Sequence, residues 1–179
     1  MNADRSKERT SMKKKESSGN LRKGILSTTM TGSADVPARL KRLDRTQRHA
    51  VLATTGRTGP LASLIAFVLT KEGNGIVFAT PTAKYRNMKR DGKVALLIDN
   101  RMNSGKDYVS AEAVTVLGKA KEIKEGPHWA ELATLLASKH KELEAFIAEP
   151  TTALMLVTIS RCAHVGRFQE VTVWWAKKR

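Results

Sequence analysis

The sequence predicts a mainly β protein with accessory helices, in which antiparallel strands close or nearly close into a barrel. The first observation is a series of apolar runs rich in Val, Ile, Phe and Thr, separated by frequent turn signals. The second is the shortness of connections such as residues 71–75, which favours antiparallel neighbours in a meander. Because five or more such strands accompany few helical segments, a barrel is the expected architecture.

The elements are expected in the following order. A helix begins near Asp35, a candidate N-cap, with Pro37 in its first turn, and its basic face is typical of a solvated surface. Strands are predicted over 49–55, 61–70, 75–80, 93–99 and 108–123. A short helix is predicted over 83–90, between two strands. A longer helical segment, broken near Lys139 and His140 or formed by two packed helices, precedes a final pair of strands.

The first 34 residues differ in composition from the remainder. They contain almost no large apolar side chains and cannot bury enough surface to fold alone. We therefore expect a basic, disordered arm over 1–34 and a single domain over 35–179. The arm either solubilises the protein, binds a nucleic acid or another anionic surface, or packs on a partner subunit. The chain carries 32 Lys and Arg against 17 Asp and Glu, and this charge of +15 attracts anions without selecting among them.

Several features favour a cytoplasmic location. No apolar run reaches the ~18 residues that a membrane span needs. The charged N-terminus is followed by no apolar segment of the kind found in secretory signals. The single cysteine, Cys162, excludes an intramolecular disulfide and a multi-cysteine metal site, so a reducing compartment is expected.

The sequence contains none of the common local catalytic motifs. It has no P-loop, no Gly-x-Gly-x-x-Gly, no Gly-x-Ser-x-Gly and no His-x-x-x-His pair. The scattered histidines are interpreted as structural or solvent-exposed rather than as ligands: His49, His128, His140 and His164. No metal site is expected and no catalytic side chain is identified. If the protein is an enzyme, a bound cofactor supplies the reactive chemistry.

The segment 78–90 is the strongest candidate for a binding site. Its strand ends at Thr80, since Pro81 lacks the N–H that would continue the ladder. Thr82 can cap the helix that begins at Ala83, where unpaired N–H groups favour an anion. Lys84 then lies in the first turn, a position that suits a bound phosphate better than an isolated helix. The alternative is a capped helix with a solvated lysine.

The order of the strand motifs resembles the FMN-binding split-barrel family of pyridoxamine 5'-phosphate oxidase. The resemblance covers about residues 36–175, and each motif is weak alone, but their order and spacing are specific. The matching segments are Ala53-Thr54, Pro60-Leu61-Ala62-Ser63-Leu64-Ile65, Phe78-Ala79-Thr80, Thr82-Ala83-Lys84-Tyr85-Arg86-Asn87-Met88, Val94-Ala95-Leu96 and Gly118-Lys119-Ala120.

The resemblance implies a split barrel that binds FMN in a groove at the interface of a homodimer. It implies that one strand lines the isoalloxazine and ribityl chain with its backbone: Ala62, Ser63, Leu64, Ile65 and Ala66. Ala79 and Thr80 would continue that wall. The phosphate would be held by Thr82, Ala83 and Lys84, with Asn87 supporting the site.

Departures from the family pattern limit the activity that the resemblance implies. The oxidases usually carry an arginine and a lysine near the positions of Ser63 and Val68, and an arginine where this chain has Ala83. They also carry an Arg-x-His near the C-terminus, which is absent here, so oxidation of pyridoxamine phosphate is not expected. Haem-degrading relatives use a C-terminal histidine, and none follows His164.

We therefore expect an FMN flavoprotein, an oxidoreductase acting on an unidentified small molecule. The alternatives are a non-enzymatic flavin-binding or polyanion-binding protein, or a relative that uses a deazaflavin or haem.

Overall fold

The computed structural model describes residues 35–81, 83–166 and 170–176. The predicted basic arm, residues 1–34, and Thr82 lie outside these residues. The described strands are β1 (His49–Thr55), β2 (Pro60–Ala66), β3 (Val68–Leu69), β4 (Gly75–Thr80), β5 (Lys93–Asp99), β6 (Ala113–Ile123), β7 (Ala153–Gly166) and β8 (Glu170–Trp175). The described helices are α1 (Asp35–Thr46), α2 (Ala83–Arg90), α3 (Asp107–Ser110), α4 (Pro127–Lys139) and α5 (Glu144–Ala148).

All described strand pairs are antiparallel, which confirms the predicted fold class, an antiparallel split barrel with accessory helices. The order is β2-β1-β5-β6-β7-β4-β3, with β8 also paired to β7. One edge of β7 pairs with β6, while the other edge is shared by β4, over residues 153–158, and β8, over residues 161–166. The expected meander is therefore incomplete, because β1 pairs with β5 and β4 with β7.

Two predicted strands have different bounds in the structure. The run 61–70 divides at Phe67, where the chain leaves its pairing with β1 and β3 begins to pair with β4. The run predicted from residue 108 begins as α3, because the Asp107 carboxylate accepts hydrogen bonds from the backbone N–H groups of Met102 and Ser104. The predicted break near His140 is confirmed: α4 ends at Lys139 and a 3₁₀ turn at Lys141–Leu143 leads into α5.

The sheet buries one apolar cluster against α1 and a second against α4 and α5. Val36, Leu40 and Leu43 of α1 are nearly inaccessible and pack into the barrel against the inward residues of β1, β4, β5 and β6. The helices α4 and α5 cover the opposite face of β4 and β7, where the cluster consists of Val68, Val77, Leu132, Ala133, Leu136, Ile147 and Leu154. None of the described helices has the length and apolar character to cross a membrane.

The outward side of β2, β1, β5 and β6 is also apolar, and we call it the apolar sheet face. In this face Val51 on β1 lies opposite Leu64 on β2 and Leu97 on β5. The remaining members are small or apolar: Ala53, Ala62, Ala95, Thr115 and Leu117. Leu64 is 66% exposed, so this face is not covered by the described chain itself.

A charged cluster fastens α1 to the barrel. Two of the three guanidinium nitrogens of Arg42 reach the Glu112 carboxylate, at 2.6 and 2.7 Å from Nη2 and 3.2 Å from Nε. The Nε2 atom of the buried His164 lies 3.1 Å from the same carboxylate. Burial would raise the pKa of Glu112, but the hydrogen bonds from Arg42 and His164 outweigh it and hold the pKa below its usual value.

We predict that Glu112→Gln lowers the free energy of unfolding by about 2 kcal/mol at neutral pH, because hydrogen bonds to a partly buried charged group are lost. Denaturant unfolding followed by circular dichroism measures this change. Glu142→Gln is the matched control, since its ion pair with Arg48 is exposed and should leave stability nearly unchanged. Equal effects of the two substitutions would contradict the role given to Glu112.

The difference in unfolding free energy between wild type and Glu112→Gln should also depend on pH. The depressed pKa of Glu112 means that its contribution is present at neutral pH and is lost as the pH falls through that pKa. Wild type should therefore lose stability on acidification more steeply than Glu112→Gln, and unfolding titrations at several pH values compare the two slopes.

Candidate cofactor site

The free edge of β2, the end of β4 and the start of α2 lie on one side of the barrel, and we call this junction the groove. β2 is the last strand on its side of the described sheet, so its second edge is not paired. β3 pairs with β4 only at Val77 and Ile76, and Phe78 and Ala79 extend beyond that pairing. The two strand segments contact each other, and α2 begins at Ala83, three residues after β4 ends. Backbone groups of two strands and the N-terminus of a helix therefore meet in one place.

The described members of the predicted site lie on these three elements. On β2, Ala62 and Leu64 are exposed, Ser63 and Ala66 are half-buried, and Ile65 is buried in the core. Ile65 can therefore present only its backbone to a ligand. At the end of β4, Ala79 is half-buried and Thr80 is buried, and on α2 Ala83 is exposed while Lys84 and Asn87 are half-buried. Thr82, the predicted cap, is outside the described residues.

Asn87 fixes α2 against the end of β1. Its amide Nδ2 donates a hydrogen bond of 3.1 Å to the hydroxyl of Thr54, which is buried. Gly56 passes close by, and a Cβ at that position would lie 2.7 Å from the carbonyl oxygen of Gly59. Arg90 adds a second link by donating to the carbonyl oxygen of Thr55. Asn87 thus positions the helix from which Lys84 projects, and Thr54 is a supporting residue that the sequence prediction missed.

Lys84 is a partly buried cation at the start of α2. Burial lowers its pKa, so the free protein pays an electrostatic cost to keep the ammonium group charged. The first turn of the helix contains no acidic residue, and in the described ranges no carboxylate forms an ion pair with Lys84. The positive end of the helix dipole adds to this unbalanced charge. Both features suit a bound phosphate.

The side of α2 that carries Tyr85 and Lys89 has a different environment. The Glu122 carboxylate of β6 accepts hydrogen bonds from the Tyr85 hydroxyl at 3.0 Å and from Lys89 Nζ at 3.1 Å. Burial would raise the pKa of Glu122, yet its bonds to Lys124, Lys89 and Tyr85 hold the pKa below its usual value. The cation Lys89 is therefore neutralised within the chain, whereas Lys84 has no such partner among the described residues.

None of the three positions at which the oxidases usually carry cations supplies charge to the groove, and one of them is Ala83. Ser63 is a neutral residue on β2, and Val68 is buried in the apolar cluster beneath α4. Among the described residues of the groove, Lys84 is therefore the cation that remains.

The histidines separate into two buried and two exposed residues. His140 Nε2 lies 2.9 Å from the carbonyl oxygen of Phe67, and His164 Nε2 lies in the cluster with Glu112. Burial lowers the pKa of both imidazoles. His49 and His128 are exposed. His164 is thus committed to holding the fold together and does not act as an open ligand.

Solved structures similar to this one include both haem and flavin proteins. The heme binding protein from Mycobacterium smegmatis is 20% identical with a TM-score of 0.65, covering 78% of this chain and 57% of that protein. HutZ, the heme storage protein from Vibrio cholerae, is 15% identical with a TM-score of 0.60, and the match covers 69% of this chain and 89% of HutZ. An FAD-binding protein from Mesorhizobium loti is 13% identical with a TM-score of 0.58, and the match covers 71% of this chain and 90% of that protein. These identities establish the fold alone.

Family comparison is more specific than the structural likenesses. Comparison with curated protein sequences gives no significant match. A sequence model of the family described as pyridoxamine 5'-phosphate oxidase matches residues 36–166, which include β1 to β7 and the groove. Because this match extends over most of the chain, the protein belongs to the pyridoxamine 5'-phosphate oxidase family.

Proposed function

We propose that this protein binds FMN in the groove between β2, β4 and α2 and uses it to oxidise or reduce a small molecule. The observation that carries the proposal is Lys84, a partly buried cation without a described carboxylate partner at the N-terminus of a helix. The FAD-binding neighbour adds support, since a flavin occurs on this fold. When bound, FMN supplies hydride or electron transfer.

The residues of the groove have separate roles in this proposal. The backbones of residues 62–66 and of Ala79 and Thr80 flank the ring and the ribityl chain. The N–H groups at Thr82 and Ala83 and the ammonium group of Lys84 bind the phosphate. Asn87 does not touch the ligand and instead holds α2 in register with β1 through Thr54.

We also propose that two copies of the chain form a homodimer through the apolar sheet face. The face is continuous across four strands, and Leu64 on its edge strand β2 stays 66% exposed in a single chain. Leu64 belongs to the strand that lines the groove, so a second copy on this face would also border the flavin site.

Haem is the second candidate ligand, because two neighbours of this fold are described as heme proteins. The exposed His49 and His128 are the histidines that remain open to a metal porphyrin among the described residues. The absorption spectrum of the purified protein separates the two ligands. A flavin spectrum with flavin fluorescence supports the proposal, while an intense Soret band without flavin absorption would replace FMN with haem.

We predict that Lys84→Ala weakens FMN binding by roughly ten- to a hundredfold, because a charge-assisted contact contributes about 1.5–3 kcal/mol. Riboflavin, which lacks the phosphate, should bind both forms about equally. Fluorescence titration of each form with each ligand measures the four affinities. Arg86→Ala is the matched control, since it removes an exposed cation from the same helix and should leave both affinities nearly unchanged. A similar loss for FMN and riboflavin would show that Lys84 supports the ring or the fold.

We predict that FMN affinity falls with rising pH once the phosphate is dianionic. The pKa of Lys84 is depressed in the free protein, and a neighbouring phosphate raises it. At a pH between the Lys84 pKa of the free protein and that of the complex, FMN binding is therefore accompanied by uptake of a proton. Affinity is therefore lost as the pH rises through the free protein's Lys84 pKa. Riboflavin titrations over the same pH range correct for ionisation of the isoalloxazine ring. In Lys84→Ala, the affinities for FMN and riboflavin should depend on pH in the same way.

We predict that Leu64→Glu dissociates the homodimer at micromolar concentration, because it would bury an unpaired carboxylate in the apolar sheet face. Sedimentation velocity with flavin present measures the mass. Ala130→Glu, on the exposed side of α4, should leave the assembly unchanged. A wild-type protein that sediments as a monomer would contradict the dimer proposal directly.

A further inference from the structure

The chain between residues 60 and 69 forms both ends of the described sheet. In the strand order β2-β1-β5-β6-β7-β4-β3, the first strand is β2 and the last is β3. The pairing of β2 with β1 ends at Ala66, and the pairing of β3 with β4 begins at Val68. Phe67 connects the two ladders, and we call this connection the corner. Its position determines where the edge of β2 lies relative to β4.

Two polar side chains hold the corner by its backbone. The Nε2 atom of His140 lies 2.9 Å from the carbonyl oxygen of Phe67. Because a carbonyl oxygen can only accept, Nε2 carries the hydrogen and donates it. The backbone N–H of Leu69 donates a hydrogen bond of 2.9 Å to Oδ1 of Asp44. Asp44 belongs to α1 and His140 directly follows α4, so the ends of two helices fix the corner.

Lys139 links these two supports. Its Nζ atom lies 2.8 Å from the same Oδ1 of Asp44 and 3.9 Å from the centre of the Phe67 ring. The side chains of Lys139 and Asp44 are only 16% and 17% exposed, so water screens this pair less than an ion pair on the surface. Burial lowers the pKa of Lys139, although its bond to Asp44 opposes this shift. We call Asp44, Phe67, Leu69, Lys139 and His140 the corner cluster.

The corner depends on these partners to keep its position. Phe67 and His140 are 0% and 1% exposed, so water has no access to the Phe67 carbonyl while the corner stays in place. A buried carbonyl group without a donor is unfavourable. Loss of the His140 donor should therefore release the corner until water reaches this carbonyl, and the end of β2 would move with it.

The corner lies next to both strands of the proposed flavin site. On one side, Ala66 at the end of β2 directly precedes Phe67. On the other side, Val68 pairs with Val77, two residues before Ala79 on β4. The strands β2 and β4 also contact each other. Because the corner joins them within so few residues, a shift of Phe67 changes their separation.

We propose that the corner cluster positions β2 against β4 for flavin binding, and that His140 and Asp44 are positioning residues that do not touch the flavin. This inference rests on the proposed flavin function. It divides the work of the site between two groups of residues. Lys84 recognises the phosphate, whereas the corner cluster determines how well the ring and the ribityl chain fit.

Two substitutions of His140 in the full-length protein test the proposal. His140→Leu removes the donor, while His140→Gln keeps a side-chain N–H. His140→Leu should weaken the binding of FMN and of riboflavin alike, by roughly five- to a hundredfold, because binding must return the Phe67 carbonyl to its buried position. His140→Gln should retain most of the affinity for both. Fluorescence titration measures these affinities, and the equal loss for the two ligands distinguishes this effect from that of Lys84→Ala.

Hydrogen exchange in the absence of flavin tests the corner directly. The backbone amides of residues 61–69 should exchange roughly tenfold faster in His140→Leu than in wild type, whereas those of β5 and β6 should change little. Asp44→Asn is a second variant for the case that His140→Leu does not fold. It keeps an oxygen for the Leu69 N–H but removes the charge that balances Lys139, and it should change exchange and affinity in the same direction.

Glu112→Gln is the matched control for a general loss of stability. Its carboxylate also fastens α1 to the barrel, but it binds Arg42 and His164 rather than a member of the corner cluster. Glu112→Gln should therefore lower stability and leave both flavin affinities unchanged.

Three results would overturn the proposal. The first is an unchanged affinity for both flavins in His140→Leu and Asp44→Asn, which would make the corner cluster purely structural. The second is an equal loss of affinity in Glu112→Gln, because any loss of stability would then have this effect. The third is a loss in His140→Gln as large as that in His140→Leu, which would leave the N–H donor without a role. A wild type that binds neither flavin would overturn the proposed function instead, and the exchange rates of residues 61–69 would still decide whether the corner cluster positions β2.

Discussion

The long strand β7 is the element on which the rest of the structure depends. It pairs with β6 along one edge, and its other edge is divided between β4 and β8. A sheet that closed continuously would pair β2 with β4, but on that edge β4 meets only two residues of β3. The barrel is therefore split between β2 and β4. The register between β6 and β7 shifts at Leu117 and Gly118, where a Cβ on Gly118 would lie 2.5 Å from the carbonyl oxygen of Thr158 on β7.

The position of α2 follows from this division. The helix begins three residues after β4 ends, and it is fixed at two points: Asn87 binds Thr54 on β1, and Tyr85 binds Glu122 on β6. These contacts hold the helix that follows β4 against β1 and β6 through side chains rather than through a strand ladder. Because the outer edge of β2 is not paired in the described sheet, the proposed ligand would lie beside an open strand edge. A cofactor at this position would thus complete the architecture as well as supply chemistry.

Much of this arrangement could be predicted from local patterns, and the exceptions have clear physical causes. The strand 75–80 and the helix 83–90 were predicted with the observed bounds, because Gly75, Pro81 and the Asp91-Gly92 turn interrupt the periodicity sharply. The division at Phe67 could not be predicted, since nothing in an unbroken apolar run shows that its two halves pair with different strands. The partnership of Asn87 with Thr54 joins residues 33 positions apart and depends on tertiary packing. The site residues themselves came from the family resemblance, and their contacts with FMN stay a prediction.

The distribution of charge gives the strongest link between the sequence and the proposed functions. A formal charge of +15 does not by itself locate an anion-binding site. The cations that form ion pairs with carboxylates must first be distinguished from those that do not. Arg42 is balanced by Glu112 and Lys89 by Glu122, and both pairs connect elements of the fold. Among the described residues, Lys84 at the start of α2 has no carboxylate partner, and neither do Lys93 and Lys119, which lie opposite each other. Lys93 and Lys119 are separated by 26 positions in the chain, so only the register of β5 against β6 reveals their proximity. Cations with partners connect elements of the fold, whereas the proposed phosphate site depends on a cation that has none among the described residues.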